Sequence, residues 1–202
     1  MTGLSDDHGE PLSNDYIRRQ ALTLRYILGV ENDAVTDVAR ILEHVLPEIA
    51  PGFLFRVVPD GEIGGDGALT SWGPPCISLE ETVYLGLASQ TPRYRFTGLH
   101  ELGHLILHGG RTQARNTQQV RNVSARHSLE RQANRFAVEF ALPHAIIKDC
   151  KVPLDVAKLC KVSVETAERR MRELGMWPRG DERRRVSEGF ERLLRELRTK
   201  KG

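Results

Sequence analysis

The sequence predicts a helix-rich α+β protein. Most of its length carries apolar residues at spacings of three and four, only three short stretches read as strands, and one glycine-rich segment separates the first strand from the others.

The elements follow in order. Residues 1–14 are polar and form an expected loose tail. From Asp15, Ile17, Ala21, Leu24 and Leu28 mark a helix that Gly29 ends. Val35, Val38, Ile41, Leu42 and Leu46 mark a second, with Asn32 as its expected N-cap and Pro47 as its end. Phe53 to Val58 reads as a strand, Gly61 to Gly67 as a turn or loop, and Cys76–Leu79 and Thr82–Leu85 as two further short strands. The next helix is the best marked: Thr91 can cap it, Pro92 suits its first position and Gly109-Gly110 ends it. After a polar loop, another helix is expected from about Ser128 to Ala141, stopped by Pro143. Short helices near 152–160 and 163–174, then an amphipathic one near 182–199, complete the chain. The expected organisation is a tail (1–14), a main domain (15–150) and a helical C-terminal segment (151–202).

Composition narrows the function classes. A chain of 202 residues with 40% hydrophobic and 28% charged residues can bury a core of its own. A net charge of +2 gives no global reason to expect nucleic acid or a membrane as partner. Cys76, Cys150 and Cys160 form no C-x-x-C knuckle, and they read as free core thiols in a reducing compartment. With no apolar run of about 20 residues and no basic, apolar leader, the expected location is cytoplasmic.

The chemistry concentrates in His100-Glu101-Leu102-Gly103-His104, an H-E-x-x-H pattern on the best-marked helix. Residues four apart share a helical face, so both imidazoles can reach one ion, with zinc the expected metal. Manganese or iron would suit the same ligands. Glu101 lies beside that face, placed as general base for a water activated by the metal. Three residues compete for the third ligand position. A straight helix carries His108 about 12 Å from His100, which makes it a neighbour of the site or a core histidine. Glu130 lies on the following helix, on a face shared with Ala133, Asn134, Ala137 and Ala141, whose small side chains let two helices approach closely. Glu139 falls on the opposite side of that helix at about 100° per residue. Glu130 is therefore the expected third ligand, with Asn134 one turn on to orient it.

Two blocks resemble the ImmA/IrrE metallopeptidases. Residues 96–108, Phe-Thr-Gly-Leu-His-Glu-Leu-Gly-His-Leu-Ile-Leu-His, are similar to that family's R-F-T-x-x-H-E-L-G-H-x-x-L-H signature. Residues 130–137 are similar to its E-x-x-A-N-x-F-A block. The resemblance spans roughly residues 20 to 175. It implies a zincin-like metallopeptidase domain with His100, His104 and Glu130 as metal ligands and Glu101 as catalytic base. It also implies a protein substrate, a helix-turn-helix transcriptional repressor, cleaved to relieve repression of mobile-element or stress-response genes. The second block ends Phe140-Ala141-Leu142-Pro143 where the family commonly has Leu-Leu-Met-Pro. Only two helices precede Phe53, where longer relatives carry a DNA-binding helix-turn-helix, so the repressor is expected to be a separate polypeptide.

Other features bear on the cleft. His127, Tyr94 and Arg135 are candidate oxyanion donors, and an extended substrate could add to the edge of the small sheet. The connection from Gly109 to Ser128 carries Arg111, Arg115, Arg121 and Arg126 with no acidic residue, and would lie near the cleft as a lid or a solvated loop. Residues 155–167 have the rhythm of a helix-turn-helix, with Ser163 as cap and Ala157, Val162, Ala167, Met171 and Leu174 as its core. Its second helix balances Arg169, Arg170 and Arg172 against Glu165, Glu168 and Glu173, which argues against direct nucleic-acid binding. The basic tail from Pro178 carries an apolar stripe of Val186, Phe190, Leu193, Leu194 and Leu197, suited to docking on the core or a partner. The alternative to a peptidase is a non-catalytic DNA- or protein-binding regulator with a structural metal.

Overall fold

A computed structural model describes residues 12–109 and 123–177, with side chains of the second stretch described from residue 127. Most of the expected N-terminal tail and the whole amphipathic stretch near 182–199 lie outside the described residues. The elements are α1 (Asn14–Ile27), α2 (Val38–Arg40), a π-helical turn (Ile41–Val45), α3 (Leu46–Ile49), β1 (Leu54–Val58), β2 (Ala68–Ser71), β3 (Cys76–Glu80), α4 (Glu81–Ala88), α5 (Pro92–His108), α6 (Val123–Ala141), α7 (His144–Ile147), α8 (Pro153–Cys160) and α9 (Val164–Glu173). The fold is the expected helix-rich α+β class. Among the described residues no helix is long and apolar enough to cross a membrane.

Helix α1 starts at Ser13, whose hydroxyl accepts from the Tyr16 N–H at 3.2 Å. It buries Ile17, Ala21 and Leu24 against the core. Its fourth buried residue is a cation. Arg25, 1% exposed, donates to the carbonyls of Val30 and Asp33 at 2.6 Å and Phe140 at 2.9 Å, and to the Thr36 hydroxyl at 3.2 Å. It thus ties the segment after α1 to α6, and each carbonyl left unpaired without it would cost about 1–3 kcal/mol.

This explains one correction. The second helix starts at Val38, capped by Asp37 accepting from Arg40 N–H at 3.0 Å, and not at Asn32. The backbone from Val30 to Asp33 instead folds around the Arg25 guanidinium. Nor does Pro47 end the run: it lies in the first turn of α3. Proline lacks the N–H that an α-helix would direct at Glu43, and the helix widens to a π turn just ahead of it, with Leu46 N–H bonding Ile41 O.

The sheet order is β1-β3-β2, with β1 parallel and β2 antiparallel to β3. Here too the sequence reading needs correction. Residues 82–85 are helical in α4, because Asp60 caps it from a distance: Thr82 donates its N–H at 2.9 Å and its hydroxyl at 2.6 Å to the Asp60 carboxylate. Val83 and Leu87, four apart, are the residues α4 buries. The third strand is instead β2, at one end of the sheet order and packed beside α5.

Helices α5 and α6 touch at Gly103. A Cβ there would meet the Ala133 carbonyl oxygen at 3.0 Å and the Phe136 Cβ at 3.1 Å, so the close approach allowed by small residues is real. A larger residue at that seam would cost about 1–3 kcal/mol by overpacking. The C-terminal pair α8–α9 has the expected core, with Ala157, Ala167 and Met171 buried and Val162 and Leu174 packed beside them. Ser163 caps α9, accepting from Thr166 N–H at 3.1 Å. Arg95 of α5 donates through Nη1 to the carbonyls of Cys160 and Lys161, both at 2.8 Å, and so holds the α8–α9 turn against the core. Arg170 of α9 bonds Glu139 of α6 as a buried ion pair. Cys76, Cys150 and Cys160 form no disulfide, and burial pushes the Cys160 thiol up to about 11.

Candidate metal centre

Helix α5 presents His100 and His104 on one face, and α6 crosses that face at the Gly103 seam. The geometry brings Glu130 to both imidazoles. Its Oε2 lies 3.1 Å from His100 Nε2 and 3.4 Å from His104 Nε2, while the two Nε2 atoms are 3.0 Å apart. One atom from each residue falls within 4.8 Å of the others, a group that could hold a metal ion. Two imidazole nitrogens and one carboxylate oxygen are the donor set of a zinc site that keeps a position open. The residues present therefore fit the expected ion.

The same proximity binds protons. Burial lowers the His100 pKa, but its hydrogen bond to Glu130 and the charges of Glu101 and Glu130 outweigh that and raise it overall. The two imidazoles hold the Glu130 carboxyl well below the usual carboxylate range.

Around this group lie contacts that the sequence did not disclose. Asn134 bonds His100 and not Glu130: its Oδ1 lies 3.1 Å from His100 Nδ1. One turn apart on α6, Glu130 and Asn134 thus grip the two ring nitrogens of one imidazole, and the expectation that Asn134 orients the glutamate is corrected. His108 is buried and sits behind His104, with the two Nδ1 atoms 3.0 Å apart, so it is a neighbour of the site. Glu101 is 7% exposed, and the Thr70 hydroxyl of β2 lies 2.6 Å from its Oε2 and 3.0 Å from its backbone carbonyl oxygen. The partner Thr70 was invisible beforehand because β2 itself was. Glu139 points away, into the Arg170 and Arg135 guanidinium groups.

His100, Glu101, His104 and Glu130 open onto a cleft of about 1390 Å³. Its walls are β2 with the preceding Ile63–Asp66 turn, the start of α5, and the α8–α9 turn at Val162, Ser163 and Thr166. Strand β2 has one pairing partner among the described residues, β3, and no described strand pairs with its outer edge. Of the three candidate oxyanion donors, none lines the cleft. Arg135 is taken by Glu139 and Glu173, and Tyr94 packs over Gly86. Arg111, Arg115, Arg121 and the Arg126 side chain lie outside the described residues. On α9, Arg170 is buried against Glu139 and Arg172 bonds Glu168.

Comparison with known proteins agrees with this architecture. A protein-family model, the IrrE N-terminal-like domain of a peptidase family, matches residues 66–172, from the turn before β2 to the end of α9. A solved structure described as a Mycobacterium tuberculosis transcriptional regulator superposes with a TM-score of 0.52 at 15% identity. The match covers 78% of this chain but only 47% of that one, and shows a shared fold. No curated protein matches the sequence.

Proposed function

Since the chain belongs to the metallopeptidase family described by the IrrE N-terminal-like domain, we propose that it is a zinc-dependent endopeptidase acting on a regulatory protein. His100, His104 and Glu130 would hold the ion, and Glu101 would be the general base. The observation that carries this reading is the convergence of the three ligand atoms beside a glutamate held at the cleft by Thr70.

When bound, the ion supplies Lewis acidity, making water a competent nucleophile near neutral pH and polarising a peptide carbonyl. The protein's own residues do the rest. The Thr70 hydroxyl occupies Oε2 of Glu101, which leaves Oε1 to take a proton from the attacking water and deliver it to the leaving amine. The outer edge of β2, which no described strand pairs with, would offer backbone donors and acceptors to an extended segment and so align a peptide without demanding a particular sequence. The substrate we favour is a helix-turn-helix transcriptional repressor on a separate polypeptide, consistent with the family resemblance. A regulator with a purely structural metal would have no use for a carboxylate aimed into the cleft.

Replacing Glu101 with Gln should leave zinc binding intact and lower cleavage of a co-expressed repressor encoded beside this gene by about 100- to 10,000-fold. Cleavage at the wild-type rate with zinc retained would overturn the mechanism.

A further inference from the structure

Behind the ion-facing groups runs a chain of buried hydrogen bonds that the catalytic reading does not use. His104 Nδ1 meets His108 Nδ1 at 3.0 Å, His108 Nε2 meets Gln132 Oε1 at 3.3 Å, and Gln132 Nε2 donates to the Ser128 hydroxyl at 3.0 Å. His104, His108 and Gln132 are 3%, 1% and 6% exposed. Ser128 and Gln132 are four apart on α6, so the serine sits where it can receive the amide N–H.

The proton positions follow from the amide. An amide oxygen only accepts, so His108 must carry its proton on Nε2. A neutral His108 then has a lone pair on Nδ1, and the proton between the two rings belongs to His104 Nδ1. That leaves His104 Nε2 with its lone pair turned toward Glu130 and the ion position. Reversing the Gln132 amide reverses every step and places a proton on His104 Nε2, where it would block coordination. Only one amide orientation is compatible with a bound ion.

We propose that Gln132, held by Ser128 and acting through His108, is a positioning residue that sets the tautomer of His104 and thereby the affinity for zinc. This rests on His104 being a ligand. Gln132 occupies a position that the E-x-x-A-N-x-F-A pattern leaves open. It also has an electrostatic consequence. Ligating histidines are commonly backed by a carboxylate or a backbone carbonyl; here both rings are backed by side-chain amides, Asn134 for His100 and Gln132 for His104. Neither amide adds negative charge to the ring it backs.

The test uses the full chain and zinc alone, by competition against a chromophoric chelator. Gln132→Leu should weaken zinc binding by about 10- to 100-fold. Gln132→Glu, whose carboxylate still accepts from His108 Nε2, should restore wild-type affinity or exceed it. Nitrogen-15 spectra of the zinc-loaded wild type should show the proton of His104 on Nδ1 and that of His108 on Nε2, a result that needs no variant to fold. Equal affinity in Gln132→Leu, failure of Gln132→Glu to rescue, or a protonated His108 Nδ1 would overturn the relay. A wild-type chain that takes up no zinc would sink the metal reading and the relay with it, whereas a zinc-binding wild type with indifferent variants would sink the relay alone.

Discussion

Helix α6 carries two glutamates nine residues apart whose surroundings could hardly differ more. Glu139 is 1% exposed and faces two arginines, one of them, Arg170, equally buried. Glu130 has 44% of its side chain exposed and faces two imidazoles. A guanidinium is a permanent counter-ion, so Glu139 is neutralised once, at folding, and stitches α9 to α6. An imidazole can be neutral, so the pairing of Glu130 with His100 and His104 depends on their protonation, and in the proposed reading the same carboxylate would serve a metal ion. One helix thus carries a closed ion pair at one end and a proton-dependent cluster at the other.

The largest expected effect comes from breaking the closed pair. Glu139→Ala leaves Arg170 buried without its partner and should cost about 3–5 kcal/mol, read as a lowered midpoint in urea unfolding. A loss well below 1 kcal/mol would mean that Arg170 finds water or another acceptor. The Glu130 end should respond differently. Glu130→Ala should cost the metal-free fold less than Glu139→Ala does, whereas zinc at 100 times its Kd should stabilise the wild type by about 2.7 kcal/mol and the variant hardly at all. Equal zinc-induced shifts in the two proteins would count against Glu130 as a ligand.

A smaller, graded effect should appear with pH. His100 has a raised pKa in the folded chain, so its proton stabilises the metal-free fold at low pH, and that contribution fades as pH rises through the folded value. Glu130 has a lowered pKa, so its contribution is present above the ordinary carboxylate range and is lost only as pH falls through the lowered value. Zinc must displace the His100 proton. Its affinity should therefore be flat above the His100 pKa and fall by about tenfold per pH unit, roughly 1.4 kcal/mol, below it. Chelator competition from mildly alkaline to mildly acidic buffer would show this, and a flat profile throughout would mean that no proton is displaced.

How much of this could be read from sequence follows from the range of each determinant. Helix α5 was legible because Pro92, the apolar spacing and the terminal glycines are all local. Glu130 was legible because helical periodicity put it on the alanine face and Glu139 on the other. The misread elements depend on partners far along the chain. The start of α4 is stabilised at Thr82 by Asp60 from 22 residues away, and the turn after α1 is shaped by a guanidinium that also reaches Phe140, 115 residues on. Strand β2 has four residues and one buried side chain, Thr70, whose purpose is evident only with Glu101 beside it. The roles of Asn134 and Gln132 depend on which ring nitrogen each meets across the α5–α6 seam, and no spacing rule encodes that.

The outer edge of β2, unpaired among the described strands, has a consequence for what the proposed endopeptidase could attack. Backbone pairing at an edge requires a segment whose own amides and carbonyls are unspoken for, and neither a helix nor an internal strand qualifies. Thr70 lies on the same four-residue strand that would receive the segment and touches the base that would act on it, so docking and chemistry share a few ångströms. A target would then be protected chiefly by its own order. The susceptible bond would be the one whose surroundings come undone most often, and a ligand, partner or DNA site that keeps the region folded would shield it without approaching the enzyme.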